Sequence, residues 1–179
     1  MLEGILNRWN IYKALAQVIS NKGAGGVDGI QTDELRDYLN ANWQSLRTRI
    51  LEGNYEPSLV RKVEIPKPQG GVRMLVIPTV IDRLIQQAIN QWLSPRCEAQ
   101  FSDQSYGFRP NRSTKQAVMQ AQSYLNEGKT WVIEIDLEKF FDNVSHDRLM
   151  YLLSRRMEDK QRYDLSGNIS PVAYRKLEW

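Results

Sequence analysis

Apolar residues in the first fifty positions recur every third or fourth place, the spacing of helices that bury one face. Ile11, Tyr12, Leu15, Val18 and Ile19 predict a helix from Trp9 to Ser20. NKGAGGVDG (21–29) breaks that pattern, and four glycines in nine residues mark a loop. Thr32 is placed to cap a second helix, with Asp33 and Glu34 at its positive end and Leu35, Leu39, Trp43, Leu46 and Ile50 as its stripe. The pattern then changes period. Two extended runs, Val60–Ile65 and Val72–Ile77, flank a loop of prolines and paired glycines (66–71), which predicts a hairpin.

Thr79-x-x-Asp82 opens a third helix in the manner of a capping box. Its stripe is Val80, Leu84, Ile85, Ala88, Ile89, Trp92 and Leu93, and it is expected to end near Pro95. SYGFRPNR is a loop, and Ser113-x-x-Gln116 caps a fourth helix closing at Gly128. WVIEID (131–136) reads as a strand and Leu137–Val144 as a compact turn. A last helix starts at Ser145 with Leu149, Leu152 and Leu153.

Composition adds limits rather than identity. Hydrophobic residues are 41% and charged residues 25% of the 179, which fits a folded chain and not a disordered one. A net charge of +3 and an isoelectric point near 9.0 suit a nucleic-acid partner without requiring one. Cys97 is the sole cysteine, so an intramolecular disulfide and a thiolate metal cage are excluded, and a half-buried thiol at a helix end is expected. No apolar run reaches membrane-span length and the N-terminus lacks a signal-peptide layout, so a reducing, cytoplasmic location is expected.

The chemically informative stretch is IDLEKFFD (135–142). A carboxylate at the end of a buried strand is held rigidly at the sheet edge, where a hard ion such as Mg²⁺ finds an oxygen ligand. Read locally, an acid in that place is more often a helix cap or turn former. His146 reads as a solvated residue at a helix start, Asp142 as a turn former, and Phe140 as core packing.

IDLEKFFDNVSHDRL resembles the first catalytic motif of group II intron reverse transcriptases. NKGAGGVDG is similar to the N-terminal extension of that family, IPKPQGGVRMLVIPTVIDRLIQQAI to its fingers hairpin and following helix, and SYGFRPNRSTKQAV to the segment between fingers and palm. The resemblance runs over about residues 2 to 160, in the family's order. It implies that Asp136 is a metal-binding aspartate of the polymerase reaction, with the Leu137 carbonyl as a further ligand. Phe141 would lie under the sugar of the incoming nucleotide and exclude a 2′-hydroxyl. Lys67 and Arg73 would grip its triphosphate. Arg109 and Arg112 would lie near nucleotide and template. Where family members often carry glycine this chain has Asn111, a residue that tolerates the left-handed conformation.

The resemblance also implies an α+β fold: a helical N-terminal extension (1–58), fingers (59–128), a partial palm (129–160) and a divergent tail (161–179) with a short likeness to insertion-sequence transposases. No Tyr-x-Asp-Asp motif occurs, so a truncated RNA-directed DNA polymerase is expected, inactive alone and with an incomplete Mg²⁺ site. Its partners would be template or intron RNA, with DNA primer and deoxynucleotide in the full-length family. Strand 131–136 would lack its usual neighbours and invite self-association. A non-catalytic RNA-binding module and a degraded reading frame are the alternatives.

Overall fold

A computed structural model of the chain describes residues 1–68, 70–138, 140 and 143–156. In order, the elements are α1 (Leu2–Ile5), α2 (Arg8–Ser20), α3 (Leu35–Leu51), β1 (Arg61–Pro66), β2 (Val72–Ile77), α4 (Val80–Glu98), α5 (Thr114–Asn126) and α6 (His146–Arg156). Helices and one two-stranded antiparallel sheet make the α+β class expected. Contacts group the chain into two units, Met1–Trp92 with Phe140–Trp179, and Leu93–Lys139.

In the first unit the helical stripes form the core. α2 buries Ile11, Ala14, Leu15 and Val18, α3 buries Leu35, Leu39 and Leu46, and α4 buries Val80, Leu84 and Ala88. Ile5 and Leu6 complete it from the N-terminal turn, which periodicity alone did not predict as helix. Tyr12, assigned to the buried stripe of α2, is 55% exposed. Asn10 joins α2 to α4, donating through Nδ2 to the carbonyls of Ile5 (2.8 Å) and Ala88 (2.9 Å).

The glycine loop lies against the start of α4. A β-carbon on Gly26 would sit 2.6 Å from Thr79 Cα, so only glycine allows this approach. Arg83 reaches back from α4 and donates to the Ala24 carbonyl at 2.6 Å.

Asp82 is the centre of this region. It is 4% exposed, and its carboxylate accepts from the Tyr55 hydroxyl (2.5 Å), the Thr79 hydroxyl (2.6 Å) and the Ser58 amide (3.2 Å). The Asp82 amide in turn donates to Thr79 Oγ1 (3.1 Å), which bears out the cap read at Thr79-x-x-Asp82. Burial first, then the hydrogen bond and charge of Asp82, hold the Tyr55 phenol far above its ordinary pKa of 10.0.

β1 and β2 pair from Arg61↔Ile77 to Pro66↔Val72. The turn closes with Lys67 N–H on the Gly71 carbonyl (3.0 Å) and Gly70 N–H on the Lys67 carbonyl (3.1 Å). Gly70 and Gly71 adopt φ of +89° and +87°, which the turn requires and a side chain resists.

Four expectations are corrected. α3 starts at Leu35 after Glu34, and Thr32 gives no cap; the Glu34 carboxylate instead accepts from the Gln31 amide at 2.8 Å. α4 runs through Pro95 to Glu98, since a proline in the last turn removes a single backbone donor. Residues 131–136 form no strand, because strands exist by pairing and the described sheet holds only β1 and β2. Phe140 is 50% exposed and not core. Phe141, Asp142 and the 161–179 tail lie outside the described residues.

In the second unit, Ser113 and Gln116 form the expected capping box of α5, and Gly128 (φ +87°) follows its end. No described residue between Leu93 and Glu138 is buried. Val118, Met119 and Leu125 of α5 are 54–63% exposed.

Replacing Asp82 with alanine strands three donors and is expected to cost about 2–4 kcal/mol of folding free energy, read by urea unfolding. Because the folded-state phenol pKa is raised, Tyr55 contributes stability that is full below its unfolded value of 10.0 and falls as pH rises beyond it. Tyr55→Phe should therefore flatten the alkaline limb of a stability-versus-pH curve, and an unchanged limb would refute the linkage.

Candidate functional site

Three groups of residues carry the chemistry the sequence points to. The first is the hairpin. Arg73 in β2 pairs with Ile65 of β1, and Lys67 stands in the turn directly after β1. Both are exposed, and neither forms an ion pair among the described residues. Val72, Met74 and Leu75 are also 40–55% exposed, so the hairpin stands away from the helical core. Two free cations on a stiff, projecting ribbon suit a polyanion with several phosphates.

The second group is the loop between α4 and α5, all of it in the second unit. Arg109 has a side chain only 7% exposed, paired at 2.8 Å with Glu98. Its Nε also donates to Glu98 Oε1 (3.0 Å), and Nη1 donates to the carbonyls of Ser102 (2.6 Å) and Ser105 (3.0 Å). The guanidinium lies over the Phe101 ring, 5.4 Å from its centroid. Its donors are spent on the protein, and Arg109 acts here as the key that closes the loop. Arg112 differs. It lies over Tyr106 at 5.6 Å and meets Asp103, itself 91% exposed, at a loose 3.5 Å. Such a contact is readily exchanged for a phosphate.

Asn111 takes φ +60°, as its left-handed tolerance allows, and Phe108 takes φ +55°. Nothing in the sequence marks Glu98 as the partner of Arg109, since they lie eleven residues apart and in different elements.

The third group is the segment around Asp136. Trp131, Val132, Ile133 and Ile135 are 82–94% exposed and Leu137 is 62% exposed. Asp136 Oδ1 accepts the Leu137 amide at 2.9 Å, a local turn bond rather than a strand-end placement. Among the described residues no three His, Cys, Asp or Glu side chains gather to hold a metal ion. Asp136 and the Leu137 carbonyl would supply three oxygens at most, against the six that Mg²⁺ requires. These residues do not by themselves fit a metal centre. His146 is exposed at the first position of α6, and Cys97 is a half-buried free thiol in the last turn of α4. No helix among the described residues is long and apolar enough to cross a membrane.

Hairpin, basic loop and acidic segment follow one another along a stretch that matches a known family model. Residues 65–168 match reverse transcriptase (RNA-dependent DNA polymerase), and the chain belongs to that family. Among its relatives is protein YkfC of Escherichia coli (strain K12), 42% identical over 147 residues. Group II intron-encoded protein LtrA of Lactococcus lactis subsp. cremoris is 33% identical over 164 residues. An uncharacterized 91 kDa protein in the cob intron of Schizosaccharomyces pombe is 34% identical over 161 residues. The alignments take in 79%, 91% and 88% of this chain, which spans 39%, 27% and 19% of those proteins. The chain is therefore a group II intron-type reverse transcriptase/maturase segment, as its motifs imply.

Arg109→Lys keeps the charge but loses the fork that bonds Glu98 and two carbonyls at once. It is expected to destabilise the loop by about 1–3 kcal/mol and to expose residues 99–113 to limited proteolysis. Wild-type resistance in the variant would rule out the keying role.

Proposed function

We propose that this chain is the nucleic-acid- and nucleotide-holding part of a group II intron RNA-directed DNA polymerase. The observation that carries the reading is the exposed hairpin, with Lys67 in its turn and Arg73 on its return strand, neither in an ion pair among the described residues, inside the stretch that matches the polymerase family. In this reading residues 1–58 are the N-terminal extension, 59–128 the fingers, and 129–160 the start of the palm. Lys67 and Arg73 hold the triphosphate of the incoming deoxynucleotide. Arg112 contacts the template strand, while Arg109 keeps the loop shaped for that contact. Phe141 excludes the 2′-hydroxyl. Asp136, with the Leu137 carbonyl, contributes to a Mg²⁺ site that is completed by carboxylates from elsewhere. The ion's part is to neutralise charge on the transferring phosphoryl group. The RNA partner is intron or template RNA, and the working compartment is the cytoplasm.

A second reading has its own support. Asp136 belongs to no group of three metal-capable side chains among the described residues, which suits a module that binds RNA by charge and shape and performs no chemistry. The readings separate experimentally. The polymerase reading expects Lys67→Ala with Arg73→Ala to weaken deoxynucleoside triphosphate binding by roughly tenfold or more, and Asp136→Ala to reduce Mg²⁺-dependent nucleotide binding. The chain alone is expected not to extend a primer, so extension product with Mg²⁺ would contradict the incomplete site. RNA binding that persists without Mg²⁺ and survives Asp136→Ala, with no triphosphate binding at all, would favour the module.

A further inference from the structure

Phe108 is fully exposed, at 110% relative accessibility, on a backbone with φ +55°. Exposure of one aromatic is ordinary, but a bulky residue in the left-handed region is a conformational outlier. Such strain persists only where the surroundings over-determine it. Here they do. Arg109, the next residue, is anchored to Glu98, Ser102 and Ser105, Pro110 restricts the chain beyond it, and Asn111 bends it again at φ +60°. The loop spends conformational energy to hold a phenyl ring in solvent, and no ring contact among the described residues repays it.

Charge around the ring indicates what it meets. From Gln104 to Asn126 the chain carries Arg109, Arg112 and Lys115 and no acidic residue. Arg109 is consumed internally, but Lys115 is exposed in the first turn of α5, and Arg112 lies over Tyr106 with the loose Asp103 contact as its one ion pair among the described residues. A flat apolar ring followed four and seven residues later by two available cations matches a ligand with an aromatic face and flanking phosphates.

We infer that Phe108 is a stacking residue for an unpaired nucleobase of a single-stranded nucleic acid, with Arg112 and Lys115 on the adjoining phosphates. The inference rests on the nucleic-acid reading above and names a contact within it. Base–aromatic stacking tolerates any sequence because every base offers a π-face. The ring would therefore fix the position of a strand without selecting its sequence.

The test uses the full chain and fluorescence anisotropy with short oligoadenylate, as RNA and as DNA, and with an abasic strand of equal length and charge. Phe108→Asn keeps a residue that accepts the left-handed backbone but removes the ring. It should weaken binding to the base-bearing strand roughly tenfold, leave the abasic strand unchanged, and unfold at a midpoint no lower than wild type. Phe108→Trp should retain binding. Whether RNA, DNA or both show the loss identifies the strand that is bound. Equal affinity of Phe108→Asn and wild type for the base-bearing strand would overturn the inference, as would equal losses on base-bearing and abasic strands. A variant that changes only the sedimentation of the protein, with binding intact, would assign the ring to a protein contact instead. Wild-type chain that binds no strand at all would sink the nucleic-acid reading along with it.

Discussion

Asp82 takes hydrogen bonds from three separate stretches of chain, and the placement of the hairpin depends on them. Tyr55 belongs to the segment after α3, Ser58 to the approach to β1, and Thr79 to the exit from β2. Both ends of the hairpin are thus fastened to the first turn of α4 by one carboxylate. A buried charge is costly unless its lone pairs are filled, and here three donors fill them. Gly26 packs against the same point from the other side, which ties the glycine loop to the cap as well. The consequence is mechanical. A two-stranded ribbon is marginal by itself, and this one stands firm because its root is clamped.

That clamp gives meaning to the exposure of the strands. Val72, Met74 and Leu75 would be a liability on an isolated ribbon, yet here they belong to an arm whose root is fixed and whose tip turns on two glycines of positive φ. Backbone hydrogen bonds between Lys67 and Gly71 and between Gly70 and Lys67 close its tip, and the family match begins within it at Ile65.

The sequence discloses whatever depends on neighbours a few residues away. The 3.6-residue stripes located α2, α3 and α4, and the reciprocal side-chain caps at Thr79 and Ser113 were visible as short motifs. Pro-Gly punctuation and β-branched runs gave the hairpin nearly to the residue. What depends on distant partners was not visible. WVIEID has strand composition, but composition cannot supply a neighbouring strand, and Asp136 consequently sits in a local turn. Arg109 looked like a free cation because its partner Glu98 lies on the preceding helix with no pattern to link them. Tyr12 fell on the predicted stripe yet faces outward, since a five-residue apolar set covers more of the helix than its neighbours can bury. The roles of Lys67, Arg73, Arg112, Asp136 and Phe141 came from family resemblance, and the residues alone left each of them open to a plainer use.

The absence of any buried residue between Leu93 and Glu138 has a thermal consequence. Among its described residues that unit is held by the guanidinium of Arg109, by cation–ring contacts at Phe101, Tyr106 and Tyr124 and by a helix cap, so its opening exposes little new apolar surface. Heat capacity of unfolding follows the apolar surface uncovered, which makes the contribution of this unit small and its stability curve shallow. The helical unit, with its core of leucine, isoleucine and valine, carries most of the curvature and weakens on cooling as hydrophobic driving force fades. The two parts of one chain therefore differ in how steeply their stability varies with temperature, the helical core more steeply than the arginine-keyed loop.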